Sequence, residues 1–448
     1  MKLTFYGGVK EVTGANYLLE SGDTKILIDC GLHQSGSFCE EHNWDPFKYN
    51  PNGIAAVFPT HAHIDHTGRL PKLVKEGFVG KVYSTPPTKD FANLLLLDSE
   101  HILLQEAEKK NKPPLYGVRE IEELMANWEA VPYHQEISVG PFKVTFYNAG
   151  HILGSSIILV EAEGRRIAFS GDLGNSPAPI IGPYEKLENL DVDYCVVEST
   201  YGNRLHKKIP EGIVEDVIEE TVKAGGALMI PAFAMERTQK LLFEMNELVE
   251  NGRVPRVPIF LDSPLAIKLT DVYKKHRNYF DEATMHLLSK DRALFEFPGL
   301  KKTLTTQESK GINEVPTPKV IIAGSGMSQG GRILHHEKRY LPDPKSTILF
   351  VGYQAKNSLG RRIQEGNEKV KIHGEEIPVK CRRVSIEGYS AHADQNQLLE
   401  WLKPMRFGLK KVFAMQGEEE ASDALVKKII DDLAVSAEIP EENKAYEL

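Results

Sequence analysis

The sequence predicts an α/β protein in which two β-sheets pack on each other with helices outside, interrupted by an inserted α/β domain built on a parallel sheet. Three observations predict it. The first two hundred residues read as short apolar or β-branched runs separated by glycine turns, with only two helical stretches among them. From about Asn203 strands and helices alternate, which is the rhythm of βαβ units. Beyond residue 384 the chain carries two more helical stretches. At roughly 100–200 residues per domain, 448 residues accommodate both parts. The predicted organisation is 1–206 for the first part of the sandwich domain, 207–384 for the insertion and 385–448 for the return.

In the first part, strands are predicted at 3–6, 16–20, 25–29, 55–59, 81–84, 143–147, 156–161, 166–170 and 194–198, where Val, Ile, Leu, Phe and Tyr concentrate between turn residues. Helices are predicted at 89–108, and at 119–128 with its Glu-rich face. In the insertion, helices at 213–223 and 238–249 alternate with strands at 227–231, 258–262, 319–323 and 347–352. Residues 371–387 return to strand texture, and helices follow at 395–402 and 423–433. No internal repeat or low-complexity segment is evident.

Hydrophobic residues make up 41% and charged residues 26% of the chain, which excludes a disordered polar protein. No apolar run reaches the roughly 18 residues of a membrane span, so no membrane partner is expected. The opening Met1-Lys2-Leu3-Thr4-Phe5-Tyr6 enters a strand pattern at once, so no signal peptide is expected. Cys30, Cys39, Cys195 and Cys381 form no Cys-x-x-Cys pair, which points to a reducing cytoplasm rather than a disulfide framework. With 54 basic and 63 acidic residues the formal charge is −9, which taken alone argues against a non-specific nucleic-acid binder.

The strongest chemical signal is Thr60-His61-Ala62-His63-Ile64-Asp65-His66, just past the carboxyl end of the strand at 55–59. His61 and His63 point the same way on extended backbone, and Asp65 and His66 turn toward a second ion as a helix begins. Gly150-His151-Ile152-Leu153-Gly154 presents another histidine after a strand, and Ser170-Gly171-Asp172 a carboxylate able to bridge two ions. Asp29 ends a third strand; it serves as a ligand, orients His61 or His63 from behind, or merely caps the strand. Alone, His151 reads as a structural histidine and Asp172 as a turn residue. Beside the His61–His66 cluster, both read as ligands.

In this order and local context, Asp29, the His61–His66 cluster, His151 and Asp172 resemble the metallo-β-lactamase superfamily. The resemblance covers the first two hundred residues and implies an αβ/βα sandwich with a dinuclear metal site at one edge of the sheets. Histidine stands second in the cluster where the di-iron flavoprotein branch has glutamate, which implies two Zn2+ per chain. Val197-Glu198-Ser199-Thr200-Tyr201-Gly202 is similar to the first signature of the β-CASP subgroup, nucleases with an α/β insertion. Tyr389-Ser390-Ala391-His392-Ala393-Asp394 is similar to the third, and its histidine is associated with RNA substrates. On that resemblance His61, His63 and His151 hold one zinc, Asp65, His66 and His392 the other, and Asp172 bridges. The second signature should supply a histidine that protonates the leaving oxygen. His373 is the preferred candidate, with Glu198 orienting it; His335, His336 and the Arg361-Arg362 pair stay open.

Two strand–loop–helix segments of the insertion resemble groove-lining segments of the subgroup and suit anions. They are Ala232–Gln239, with Arg237, and Gly324–Arg332, with Ser325 and Arg332. Basic residues also cluster at Arg204, His206, Lys207 and Lys208, at Lys338 and Arg339, at Arg361 and Arg362, and at Arg382 and Arg383. Arg237, Ser325, Arg332 and Arg362 are the predicted substrate-binding residues. The resemblance thus implies a two-metal ribonuclease acting on single-stranded RNA, as an endonuclease with or without 5′ exonuclease action. It leaves 5′-phosphate and 3′-hydroxyl ends, and the resemblance also implies a homodimer. A hydrolase of a small thioester or lactone would need no insertion, so Glu198 and His392 in their settings speak against it. A binding or scaffold subunit would carry degenerate ligands, and these are complete.

Overall fold

The computed structural model describes residues 1–34, 40–207, 210, 212–290, 293–355, 357–386 and 389–448. Cys39, Lys208 and the end of the strand-rich stretch at 387 lie outside the described residues. The chain forms two compact units: Met1–Leu205 with Ala391–Leu448, and His206–Ser390.

The first unit is built on two seven-stranded sheets. One runs in the order Ala445–Glu447, Lys2–Phe5, Tyr17–Ser21, Thr24–Ile28, Ala56–Phe58, Lys81–Ser84 and Trp128–Ala130. The other runs Ala437–Glu438, Lys411–Met415, Tyr194–Glu198, Arg165–Phe169, Ser156–Ala162, Phe142–Asn148 and Ile137–Val139. The period-two alternation of strands explains how the second sheet serves two cores. Val196, Phe413 and Met415 face the first sheet and join Phe5, Phe58, Phe146 and Phe169. Cys195, Val197 and Val412 face the other way, onto Trp401, Leu425 and Ile429 of the helices Gln395–Leu402 and Glu419–Leu433. Each buried large side chain contributes roughly 1.5–3 kcal/mol, so this layering outweighs any single surface ion pair.

Strand direction decides where the loops gather. Thr24–Ile28 and Ala56–Phe58 are parallel, as are Arg165–Phe169, Tyr194–Glu198 and Lys411–Met415. Phe142–Asn148 runs the same way, because both it and Arg165–Phe169 are antiparallel to Ser156–Ala162. Within each sheet the carboxyl ends of these strands therefore open on one edge.

The second unit is a six-stranded, wholly parallel sheet ordered Leu300–Lys302, Ile259–Asp262, Lys319–Ala323, Ala227–Pro231, Thr347–Phe350 and Arg382–Ser385. Its apolar strand residues, among them Met229, Ile321 and Phe350, pack on Ile333, Tyr340 and Ile363 of the helices Ile333–Tyr340 and Leu359–Gln364. Lys369–Ile372 and Glu375–Pro378 form a separate hairpin. Among the strands absent from the sequence prediction are Trp128–Ala130, whose first residue is predicted as the end of a helix, and Lys411–Met415. Among the described residues Cys30, Cys195 and Cys381 are buried and unpaired, and no helix is long and apolar enough to cross a membrane.

Candidate metal centre

The cluster after Ala56–Phe58 has the predicted form. His63 is extended, with φ −57° and ψ 149°, and the single helical turn Ile64–Thr67 then carries Asp65 and His66. Three backbone hydrogen bonds pin this turn: Ala15 N to Asp65 O, Cys30 N to His66 O and Leu32 N to Ile64 O, at 2.8–3.0 Å. Gly31 is required for that approach, since a Cβ there would lie 1.5 Å from the Asp65 carbonyl oxygen.

His61, His63, His151 and Asp172 each bring one ligand atom within 4.8 Å of the others. His61 Nε2 and His151 Nε2 lie 3.0 and 3.2 Å from His63 Nδ1. Asp172 Oδ2 lies 3.4 Å from His61 Nε2 and 3.5 Å from His151 Nε2. The outer nitrogens have their own partners: His61 Nδ1 meets Thr60 Oγ1 at 3.1 Å, and His151 Nδ1 meets the Ala391 carbonyl at 3.3 Å. A proton on each outer nitrogen leaves a lone pair on the inner one. Burial holds His61 and His151 well below the ordinary histidine value and takes His63 down to about 4. Neutral imidazoles converging with one carboxylate form a donor set for a metal ion, and their crowded lone pairs repel unless a cation lies among them. The residues fit a metal ion.

Asp172 has a second side. Its Oδ1 lies 3.3 Å from His66 Nε2 and 3.2 Å from Nε2 of Gln416, whose amide is also 2.8 Å from His66 Nε2. Asp65 Oδ2 stands 3.9 Å from His66 Nε2. Behind His66, its Nδ1 meets Asp29 Oδ2 at 2.8 Å. Asp29 is fully buried and also accepts Thr60 N at 2.7 Å and Thr60 Oγ1 at 2.9 Å. Asp29 thus contacts His66 directly and reaches His61 through Thr60. Against the burial that lowers it, Asp172, Asp29 and Asp65 hold His66 well above its ordinary value. Against the burial that raises it, His66, His61 and His392 hold Asp172 well below its own.

His392 groups with Asp172 and Glu198. It stands on the Oδ2 side of Asp172, with Nδ1 3.8 Å from that oxygen and 3.1 Å from Glu198 Oε2, and its ring 4.6 Å from His151. The backbone dictates this. Asn175 N donates to Ala391 O at 2.8 Å and Ala393 N to Leu173 O at 2.7 Å, so Gly174 bridges His392 directly. Gly174 admits no side chain, because a Cβ would fall 1.8 Å from Gly150 O. Glu198 is buried, accepts Leu173 N, and is pushed up by burial. Against burial, Glu198 and Asp172 raise His392 to about 9. Glu198 thus pairs with His392.

Gln416 is the site residue that the sequence does not flag. An amide escapes a search for acids, histidines and cysteines, and its strand Lys411–Met415 is not predicted either. Its one signal is position, directly after an apolar strand run as with Asp172.

In the second unit, His373 sits exposed in the hairpin turn at φ 49°, its ring 5.1 Å from that of His335. His336 is buried with Nε2 2.7 Å from Asp262 Oδ2. Arg332 donates to Asp262 Oδ1, Thr303 O and Leu304 O at 2.7–2.9 Å, which makes it an internal clamp rather than a free phosphate ligand. The Ser325 hydroxyl accepts Gln329 N and Gly330 N, closing its own loop. Arg362 donates to Asn357 O. Arg237 is buried over the Tyr389 ring, and among the described residues its Nε and Nη1 have no hydrogen-bond partner.

Three family models match the chain: "Metallo-beta-lactamase superfamily" over residues 10–223, "Beta-Casp domain" over 238–363 and "Zn-dependent metallo-hydrolase RNA specificity domain" over 376–440. The chain is 38% identical to a protein of Thermus thermophilus named a ribonuclease, over 95% of each chain. It is 30% identical to an RNase J-like protein of Methanocaldococcus jannaschii, over 98% of this chain and 97% of that one. It is also 32% identical to the transcription termination factor FttA of Methanosarcina mazei, over 97% and 70%. A crystal structure of a protein of unknown function from Enterococcus faecalis shares the fold, with a TM-score of 0.58 at 12% identity over 100% and 99% of the two chains.

Proposed function

The chain belongs to the metallo-β-lactamase superfamily, in the branch that carries a β-CASP domain, and from that premise we propose that it is a zinc-dependent ribonuclease hydrolysing phosphodiester bonds of single-stranded RNA. The observation that carries this is the two-sided Asp172, with three imidazoles gathered at one oxygen, His66 at the other, and the Glu198–His392 pair alongside. His61, His63, His151 and Asp172 would hold one zinc; Asp65, His66 and Asp172 would hold a second ion. Bound metal at such a site lowers the pKa of water and offsets charge on the phosphoryl oxygens.

The protein's own groups supply the rest. With metal bound, Asp29 and Thr60 would take the outer N–H of His66 and His61, so their inner nitrogens would face the ions. Water adds to phosphorus as the bond to O3′ breaks, and O3′ takes a proton from His392. Glu198 keeps that imidazole charged and aimed. The products carry a 5′-phosphate and a 3′-hydroxyl. In the insertion, Arg237 at the start of its helix would meet a backbone phosphate in exchange for Glu236. The names of the relatives favour RNA over a small thioester or lactone.

The test compares wild-type protein with His63→Ala, on end-labelled and internally labelled single-stranded RNA, with metal content measured in parallel. His63→Ala should lose metal and cleavage together while keeping its fold. Full cleavage by metal-free, folded His63→Ala would overturn the proposal, as would thioester or lactone turnover by wild-type protein that leaves RNA intact. Internal fragments identify an endonuclease and released mononucleotides a 5′ exonuclease.

A further inference from the structure

The two sides of Asp172 differ in chemistry. The first offers three imidazole nitrogens and one carboxylate oxygen. The second offers one imidazole, His66, two carboxylates, Asp65 and Asp172, and the carboxamide of Gln416. Nitrogen-rich sites suit zinc, whereas carboxylate and carbonyl oxygens suit harder ions such as Mn2+.

Gln416 is built into this position. It is 3% exposed, its N donates to Gly8 O at 2.7 Å, and its carbonyl accepts Thr200 Oγ1 at 3.0 Å. Its φ of 51° is a left-handed value that a side chain of this type seldom adopts, so the surroundings impose it. The amide nitrogen donates to Asp172 Oδ1 and lies 2.8 Å from His66 Nε2, the two atoms that a cation there would use, while Oε1 accepts from Tyr17 Oη at 3.2 Å. A half-turn of the amide exchanges these roles. Oε1 then faces the ligand atoms, and the amide donates to Tyr17 Oη, which accepts as readily as it donates.

We propose that Gln416 makes the second cation position hard and reversible. Zinc is held there more weakly than at the first position, so an oxygen-preferring divalent ion supplied in excess occupies it, with the Gln416 amide oxygen turned toward it. This rests on the metal reading above. It gives the centre one resident zinc and one exchangeable ion.

The test uses the full chain, stripped with chelator, reloaded with zinc and desalted, then titrated with Mn2+ by electron paramagnetic resonance. Wild-type protein should keep about one zinc per chain and bind one Mn2+ reversibly. Gln416→His should keep two zincs and lose its preference for Mn2+, a gain that misfolded protein cannot show. Gln416→Met, which keeps the volume, should weaken Mn2+ binding about tenfold or more with the zinc retained. Wild-type protein that keeps two zincs overturns this proposal alone, as does Gln416→Met that binds Mn2+ like wild type. Wild-type protein that keeps no zinc overturns the metal reading and this proposal with it.

Discussion

Asp29 and Gln416 share a left-handed backbone, with φ of 59° and 51°, and both approach His66 from the end of a strand. Such a conformation costs of order 1–3 kcal/mol, so the packed strand ends must over-determine it. For Asp29 the return is orientation: its carboxylate fixes His66 through Nδ1 and the Thr60 turn through the amide. Asp29→Asn keeps the shape but halves the acceptors. Chelator competition should show metal affinity falling about 10–100-fold, with the melting temperature little changed. His392 invites a sharper comparison, because prediction and structure give it different work. If it donates a proton beside Glu198, His392→Gln should leave metal content intact and lower kcat by roughly 10²–10⁴. Loss of an ion with it would return His392 to the ligand set.

Helix Ile333–Tyr340 shows how an element holds a loop. Glu337, buried on this helix, accepts the Ser328 hydroxyl of the glycine-rich loop, and among the described residues its Oε2 has no partner. Burial raises Glu337 to about 8 from an ordinary 4.5, so it folds in its neutral form. A carboxyl that binds its proton more tightly when folded stabilises most below the unfolded pKa and loses that contribution as pH rises through 8. Glu337→Gln mimics the neutral form at every pH. Its thermal midpoint should match wild type near pH 5 and exceed it increasingly toward pH 8, as its stability advantage grows to on the order of a few kcal/mol. Equal midpoints across that range would contradict the assignment. Elements of this kind also mark where sequence reading ends. Strands such as Tyr194–Glu198 and Lys319–Ala323 are legible because apolar side chains on both faces leave a continuous signal. The carboxyl ends of such strands carry most of the site, so Asp29, the His61–His66 cluster, His151, Asp172 and Glu198 can be found from order and context. Ile333–Tyr340 is short and mostly polar, and Trp128–Ala130 directly follows a Glu-rich amphipathic helix, so neither stands out as a run of its own. Which oxygen of Asp172 each partner faces depends on pairings between distant segments, such as Gly174 with His392, and no local pattern encodes them.

At the scale of the whole molecule, the net charge of −9 and the basic clusters pull in opposite directions, and the ion pairs decide between them. Arg332 is bound to Asp262, Arg361 to Glu365, Lys338 to Glu375 and Arg382 to Glu220. A cation already matched by its own acid releases few counterions on meeting a phosphate. Each matched phosphate contact on a single strand contributes about 0.7 to the slope of log affinity against log salt. The protein should therefore bind RNA with a shallow dependence, a slope no steeper than about −3, where an electrostatically driven binder with many contacts is far steeper. Fluorescence anisotropy on chelator-stripped protein, which cannot cut the probe, measures this directly. Two arginines separate contact from scaffold. Arg237→Gln should flatten the slope by about 0.7 and weaken every RNA alike, because a phosphate at this loop would displace Glu236, 3.5 Å from the guanidinium. Arg332→Gln should leave the slope unchanged and lower the melting temperature instead. It strips a charged hydrogen bond from the fully buried Asp262 at a cost of about 1–3 kcal/mol, while His336, Thr303 and Ser309 still hold that carboxylate. The reverse pattern would mean that RNA displaces the Asp262 pair to reach Arg332, and that the clamp opens on binding.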